Sequence, residues 1–83
     1  MYEILIAEPA EKMLDKLPVA VAERLIKAIY KLADQPRPPK CVKLSGSDNY
    51  RIRVGDYRII YSILDDVLVI EVLKIGNRRE IYR

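Results

Sequence analysis

Arg51, Arg53 and Arg58 surround the dipeptide Gly55-Asp56, and Arg78, Arg79 and Arg83 follow near the end of the chain with Tyr82 among them. Arginine carries a planar fork of donors that fits phosphate oxygens, and it stays charged at any ordinary pH. Such groups can hold a polyanion and offset the extra negative charge of a phosphodiester in its transition state. They are poor general bases. Tyr82 adds a ring on which an unstacked RNA base can rest, a contact of about 1–3 kcal/mol. RNA needs no metal to be cut, because its own 2′-hydroxyl can attack the adjacent phosphate once the atoms are held in line. A ribonuclease built on Arg51, Arg53 and Arg58, closed by Arg78 or Arg79 and by Tyr82, is therefore chemically possible. Proton transfer is its weak point: Tyr82, Glu71 and Asp56 are the candidates, with Asp56 more simply a turn residue and Glu71 more simply a neutraliser of nearby arginines.

Composition removes other chemistries. There is no histidine and one cysteine, Cys41, so the chain has no His-based triad, no multi-cysteine metal site and no internal disulfide. The net charge is only +3, but six of the eight arginines lie after residue 50 while most lysines lie before it. With 83 residues, about half apolar, the chain supports a single domain over residues 1–83. No apolar run approaches the roughly 18 residues of a membrane span, and no secretory leader is recognisable at the N-terminus. A cytoplasmic protein with no membrane association is expected.

The elements that position the arginines read clearly. Tyr50-Arg51-Ile52-Arg53-Val54 and Tyr57-Arg58-Ile59-Ile60-Tyr61 flank Gly55-Asp56, a pair suited to a two-residue hairpin loop. That loop pairs Val54 with Tyr57, Arg53 with Arg58, Ile52 with Ile59, Arg51 with Ile60 and Tyr50 with Tyr61. Alternation then puts the tyrosines, Ile52, Val54 and Ile59 on a core face and Arg51, Arg53 and Arg58 on an open cationic face. Like charges opposed across strands destabilise a sheet by some tenths of a kcal/mol, so folding alone gives no reason for this stack.

Upstream, residues 1–7 read as a first strand. Pro9 can open a short helix that ends at Leu17-Pro18, and Pro18 can open a second, whose Ala22, Leu25, Ile26, Ile29, Leu32 and Ala33 keep one apolar face. Residues 34–40 hold three prolines and form a stiff connector. Val42-Lys43-Leu44 extends briefly before a cluster of turn formers. Downstream, Leu64-Asp65-Asp66-Val67 reads as a second tight turn, with Val67 to Ile75 as the last strand. Leu64 then faces Val67, Ile60 faces Glu71 and Arg58 faces Leu73. The expected fold is α+β, βααβββ, with a helical hairpin packed on one face of a mainly antiparallel sheet.

The hairpin together with Val72-Leu73-Lys74-Ile75-Gly76-Asn77-Arg78-Arg79-Glu80-Ile81-Tyr82 resembles the RelE family within the RelE/ParE toxin superfamily. The helical hairpin, Gln35-Pro36-Arg37-Pro38-Pro39 and Lys43-Leu44 resemble it too. The resemblance implies a toxin of a type II toxin–antitoxin pair, with a fold like that of compact microbial ribonucleases, which enters the ribosomal A site and cleaves messenger RNA there. It implies no cofactor. Arg51 and Arg53 match the paired basic positions of the catalytic strand, Arg58 the phosphate-stabilising arginine, Arg78 the C-terminal arginine and Tyr82 the base-stacking tyrosine. Arg79 is an additional RNA contact. Three positions depart from the pattern: the relatives with the best understood cleavage carry lysines where Arg51 and Arg53 stand, and many members carry histidine where Asn77 stands. The implied partners are the ribosome with its mRNA and a RelB-like antitoxin, in a complex that the family suggests is a heterotetramer. The alternatives are a ParE-like inhibitor of DNA gyrase and an inactive member that only binds its antitoxin.

Overall fold

A computed structural model gives the architecture and describes residues 1–77. Its order is β1 (Glu3–Ile6), α1 (Glu8–Lys16), α2 (Val19–Lys31), β2 (Val42–Lys43), β3 (Asn49–Val54), β4 (Tyr57–Leu64) and β5 (Val69–Asn77). This is the expected α+β arrangement, with the brief extension at Val42-Lys43 forming a two-residue strand of its own.

Proline sets the helix boundaries. Pro9 sits in the first turn of α1, where its missing N–H is no loss, and Glu8 and Glu11 there with Lys16 in the last turn complement the helix dipole. Pro18 excludes a helical conformation for its predecessor, so Leu17 turns extended at ψ 153° and α1 stops. Pro18 then serves as the N-cap of α2. Leu25 and Ile29 of α2, followed by Leu32, are buried against Ile52, Ile59, Tyr61, Ile70, Val72 and Ile75 of the sheet. Each fully buried aliphatic side chain of this kind contributes about 1.5–3 kcal/mol.

The sheet runs β1-β5-β4-β3-β2. β1 is parallel to β5, with Glu3 opposite Val69 and Ile6 opposite Val72, and the remaining pairings are antiparallel. The Tyr2 amide donates to the Ala33 carbonyl at 2.9 Å, which ties the start of β1 to the chain just after α2. Among the described residues, no helix is long and apolar enough to cross a membrane.

The β3–β4 register is the one expected, with all five pairs from Tyr50–Tyr61 to Val54–Tyr57 observed and Asn49–Ser62 extending the ladder by one. Gly55 takes φ 60° as the first loop residue, the pattern of a II′ turn, which only glycine adopts without strain. The β4–β5 register differs from expectation. Leu64 faces Val69 rather than Val67, so residues 65–68 form a four-residue turn, closed by Leu68 at φ 54°. A register shift follows, with Tyr61 opposite Val72 but Ile60 opposite Lys74, leaving Leu73 as the extra residue of a bulge. Arg58 consequently faces Gly76, not Leu73, and Glu71 faces Ser62, not Ile60.

Candidate nucleic-acid interface

Two rows of residues cross the sheet face opposite the helices. One reads Arg53, Arg58, Gly76 and the next Arg51, Ile60, Lys74. The bulge at Leu73 creates the second row. Under strict alternation from Ile70 and Val72, Lys74 would point into the core and Ile75 out of it. The inserted residue reverses both, so Ile75 is buried and Lys74 exposed. Lys74 is therefore a fourth cation of this face, which sequence reasoning missed. The signal was present: a lysine where the alternation demanded an apolar side chain.

The three arginines do not form a uniformly open plate. Arg53 is exposed, Arg51 is half-buried and Arg58 retains only 3% of its surface. Arg58 lies on β4, which has a strand on each side, whereas Arg53 lies on β3, beyond whose Arg51 the short β2 does not extend. Among the described residues, the Arg58 Nε is fully buried without a hydrogen-bond partner. The salt bridges Lys12–Glu8, Arg37–Asp65 and Lys43–Asp48 all lie elsewhere. An uncompensated donor on a buried cation is costly. Such a group in a native fold calls for an explanation, of which a bound anion, an ordered water or stored strain are the physical choices.

Glu71 stands in the row of Ser62, beyond Ile60 from Arg58, and so does not face the Arg53–Arg58 pair. Asp56 is the second residue of the hairpin loop and is exposed. At that tip a Cβ on Gly55 would lie 3.4 Å from the Arg24 guanidinium, so Arg24 also reaches the hairpin. Arg78, Arg79 and Tyr82 lie outside the described residues. Among the described residues, no three carboxylate, cysteine or histidine side chains gather where they could hold a metal ion.

The end of the sheet away from this hairpin loop carries a clamp. Arg37 Nη2 meets Asp65 Oδ2 at 2.8 Å, and the Tyr2 hydroxyl donates to Asp65 Oδ1 at 2.6 Å. The Arg37 guanidinium carbon lies 5.4 Å from the Tyr50 ring centroid, while its Nε donates to the Tyr50 hydroxyl at 3.2 Å. Tyr50 stacks on Tyr61 at 6.0 Å between centroids, and the Tyr61 hydroxyl donates to the Pro36 carbonyl at 2.8 Å. Tyr61 is wholly buried, as the core face of the hairpin requires. The Arg37 hydrogen bond, and secondarily that from Tyr2, hold the Asp65 carboxyl below the usual range. Burial first, then the neighbouring Cys41 thiol, pushes the Tyr61 hydroxyl well above it. Together these contacts pin the proline-rich connector to the sheet.

Comparison with known proteins agrees with this geometry. The family model described as "ParE toxin of type II toxin-antitoxin system, parDE" matches residues 4–82. A putative RelE-like toxin protein of Escherichia coli is 34% identical over 80 residues, spanning 93% of this chain and 83% of that protein. Among solved structures, the archaeal RelE–RelB complex from Pyrococcus horikoshii superposes with a TM-score of 0.84 at 35% identity, covering 95% of this chain and 97% of that one. The intact E. coli RelBE toxin–antitoxin complex gives a TM-score of 0.81 at 31% identity, covering 93% and 96%. With a fold, a hairpin register and a sequence match that run nearly end to end, this chain belongs to the RelE/ParE superfamily of type II toxins, as a RelE-like toxin.

Proposed function

We propose that this toxin is a metal-independent endoribonuclease that depends on the ribosome, cleaving messenger RNA in the A site and stopping translation until a RelB-like antitoxin covers it. The observation that carries this reading is the buried Nε of Arg58, which has no partner among the described residues, in a row with Arg53 on the helix-free face. A guanidinium kept there at a cost to folding finds its compensation in an anion bound from outside. Arg58 and Arg53 neutralise the scissile phosphate as its charge rises. Arg51 and Lys74 flank them across Ile60 and hold adjoining phosphates.

In this scheme the 2′-oxygen attacks phosphorus, gives up its proton, and expels the 5′-oxygen, which takes up a proton. Lysine, unlike arginine, can exchange a proton, so Lys74 is the member of the four able to serve that transfer. Arg78 and Tyr82 complete the site as the C-terminal arginine and the base-stacking ring, with Arg79 as a further RNA contact. The complexes of RelE with RelB in E. coli and P. horikoshii support a RelB-like partner here.

The test is to induce the chain in translating cells without its antitoxin and map messenger RNA 5′ ends. Cuts in phase with codons support the reading. Intact messenger RNA together with inhibited supercoiling by purified gyrase would replace it with a ParE-like activity, and normal growth would leave an inactive antitoxin-binding member.

A further inference from the structure

The helix-free face of the sheet is not cationic throughout. Beyond the row of Arg51, Ile60 and Lys74, the next row reads Asn49, Ser62, Glu71 and Leu5, one residue from each of four strands. Asn49, Ser62 and Glu71 are half-buried and Leu5 is exposed. Among the described residues, Glu71 belongs to none of the ion pairs, which join Lys12 to Glu8, Arg37 to Asp65 and Lys43 to Asp48. Successive rows on a strand face stand about 7 Å apart, close to one step of an extended RNA strand. A carboxylate repels phosphate, so a backbone held by the first two rows has no reason to run over Glu71. A base does. A carboxylate offers only acceptors, which pair with N–H donors on a base edge. Adenine, cytosine and guanine each carry an exocyclic amino group. Uracil instead sets its single ring N–H between two carbonyl oxygens, and these face a carboxylate unfavourably. The Ser62 hydroxyl, directly across from Glu71, donates or accepts and can serve the ring atom beside the amino group. Ile60 and Leu5 border the pair and give the ring apolar surface.

We propose that Glu71, with Ser62 beside it, determines base specificity: the pair reads the base of a nucleotide next to the scissile phosphate and favours an amino-bearing base over uracil. The inference rests on the ribonuclease reading above and adds which bases the site accepts. It also gives Glu71 a task that the register leaves open, since this carboxylate does not face the Arg53–Arg58 pair. The face is then divided by chemistry, with two cationic rows for the backbone and a third row of acceptors and hydroxyl for a base edge.

The experiment measures cleavage by the purified full chain on ribosomes programmed with messages that differ at one A-site position at a time, each position carrying A, C, G or U in turn. At the position read by Glu71, wild type is expected to cut the three amino-bearing messages at least about tenfold faster than the uracil message. Glu71→Gln presents a donor as well as an acceptor and should narrow that ratio to within about threefold. Glu3→Gln makes the same charge change one row further along the same face, opposite Val69, and should keep the wild-type ratio. Circular dichroism verifies that both variants fold. A folded Glu71→Gln protein that keeps the ratio, with all four rates changed by one factor, would make Glu71 a neutraliser of charge or a proton-transfer group and overturn the proposal. Loss of the ratio in Glu3→Gln as well, or its absence in wild type, would overturn it too, while leaving the ribonuclease reading standing. Cleavage of none of the messages by wild type would overturn the ribonuclease reading and this proposal with it.

Discussion

Replacing Arg58 by methionine separates what this residue does for folding from what it does for function. The residue is 97% buried, its Nε has no partner among the described residues, and its cross-strand neighbour Arg53 carries the same charge. A buried donor left unsatisfied costs about 1–3 kcal/mol, and a directly opposed like charge adds some tenths. Methionine is unbranched and flexible enough to occupy the same channel with no polar atom to satisfy. Exchanging buried charge for apolar volume in this way is commonly neutral or stabilising by about 1–4 kcal/mol. Arg58→Met is therefore expected to raise stability by about 1–3 kcal/mol. For a domain of this size each kcal/mol moves the melting temperature by roughly 4–8 °C. Urea unfolding should show a higher midpoint with an unchanged slope, which assigns the gain to stability rather than to a changed denatured state. The same variant should lose toxicity. A drop in stability of more than about 1 kcal/mol would mean that Arg58 has a compensating partner inside the fold, and the case for an external anion would fail.

Other substitutions probe the remaining parts. Tyr61→Phe removes the hydrogen bond to the Pro36 carbonyl and should cost about 1 kcal/mol. Because the folded-state pKa of Tyr61 is raised, the wild-type contribution is complete below the ordinary tyrosine pKa of about 10 and is lost as pH climbs above it, so the variant's alkaline loss should be shallower in unfolding curves. Asp65 has a lowered pKa, so its contribution is complete above the ordinary carboxylate value of about 4 and is lost as pH falls below it. Asp65→Asn should flatten that acid limb. Leu68 holds a left-handed conformation that asparagine tolerates better, and Leu68→Asn should stabilise by about 1 kcal/mol in thermal unfolding. Lys74→Arg keeps the charge but cannot exchange a proton. Under the scheme above it should slow cleavage while leaving antitoxin affinity unchanged.

The β3–β4 hairpin was legible because a Gly-Asp turn and a run of alternating apolar residues fix both loop and parity. Five residue pairs follow from that one assignment. The next hairpin was not, because Asp65-Asp66 has the look of a two-residue turn whereas the chain closes through a leucine at positive φ, a conformation that residue type does not advertise. Lys74 carried the warning in its own position: a charge in an apolar phase signals a broken alternation. The helices were legible from Pro9, Pro18 and the 3,4 spacing of Leu25, Ile29 and Leu32, all local features. The clamp was not, since Arg37 and Asp65 are 28 residues apart and meet only once connector and sheet are folded together. Arg58 illustrates a similar limit. Its pairing with Arg53 is a property of sequence spacing, but its burial depends on the strands on both sides of β4, one of them placed by the unforeseen register.

Cleavage of a defined messenger RNA on programmed ribosomes, comparing purified wild type with Arg58→Met, bears most directly on the role assigned to the arginine rows. The account predicts cutting by wild type and a loss of at least about hundredfold in the variant, the scale expected when a group that stabilises developing charge is removed. Undiminished cleavage by a folded Arg58→Met protein would contradict it.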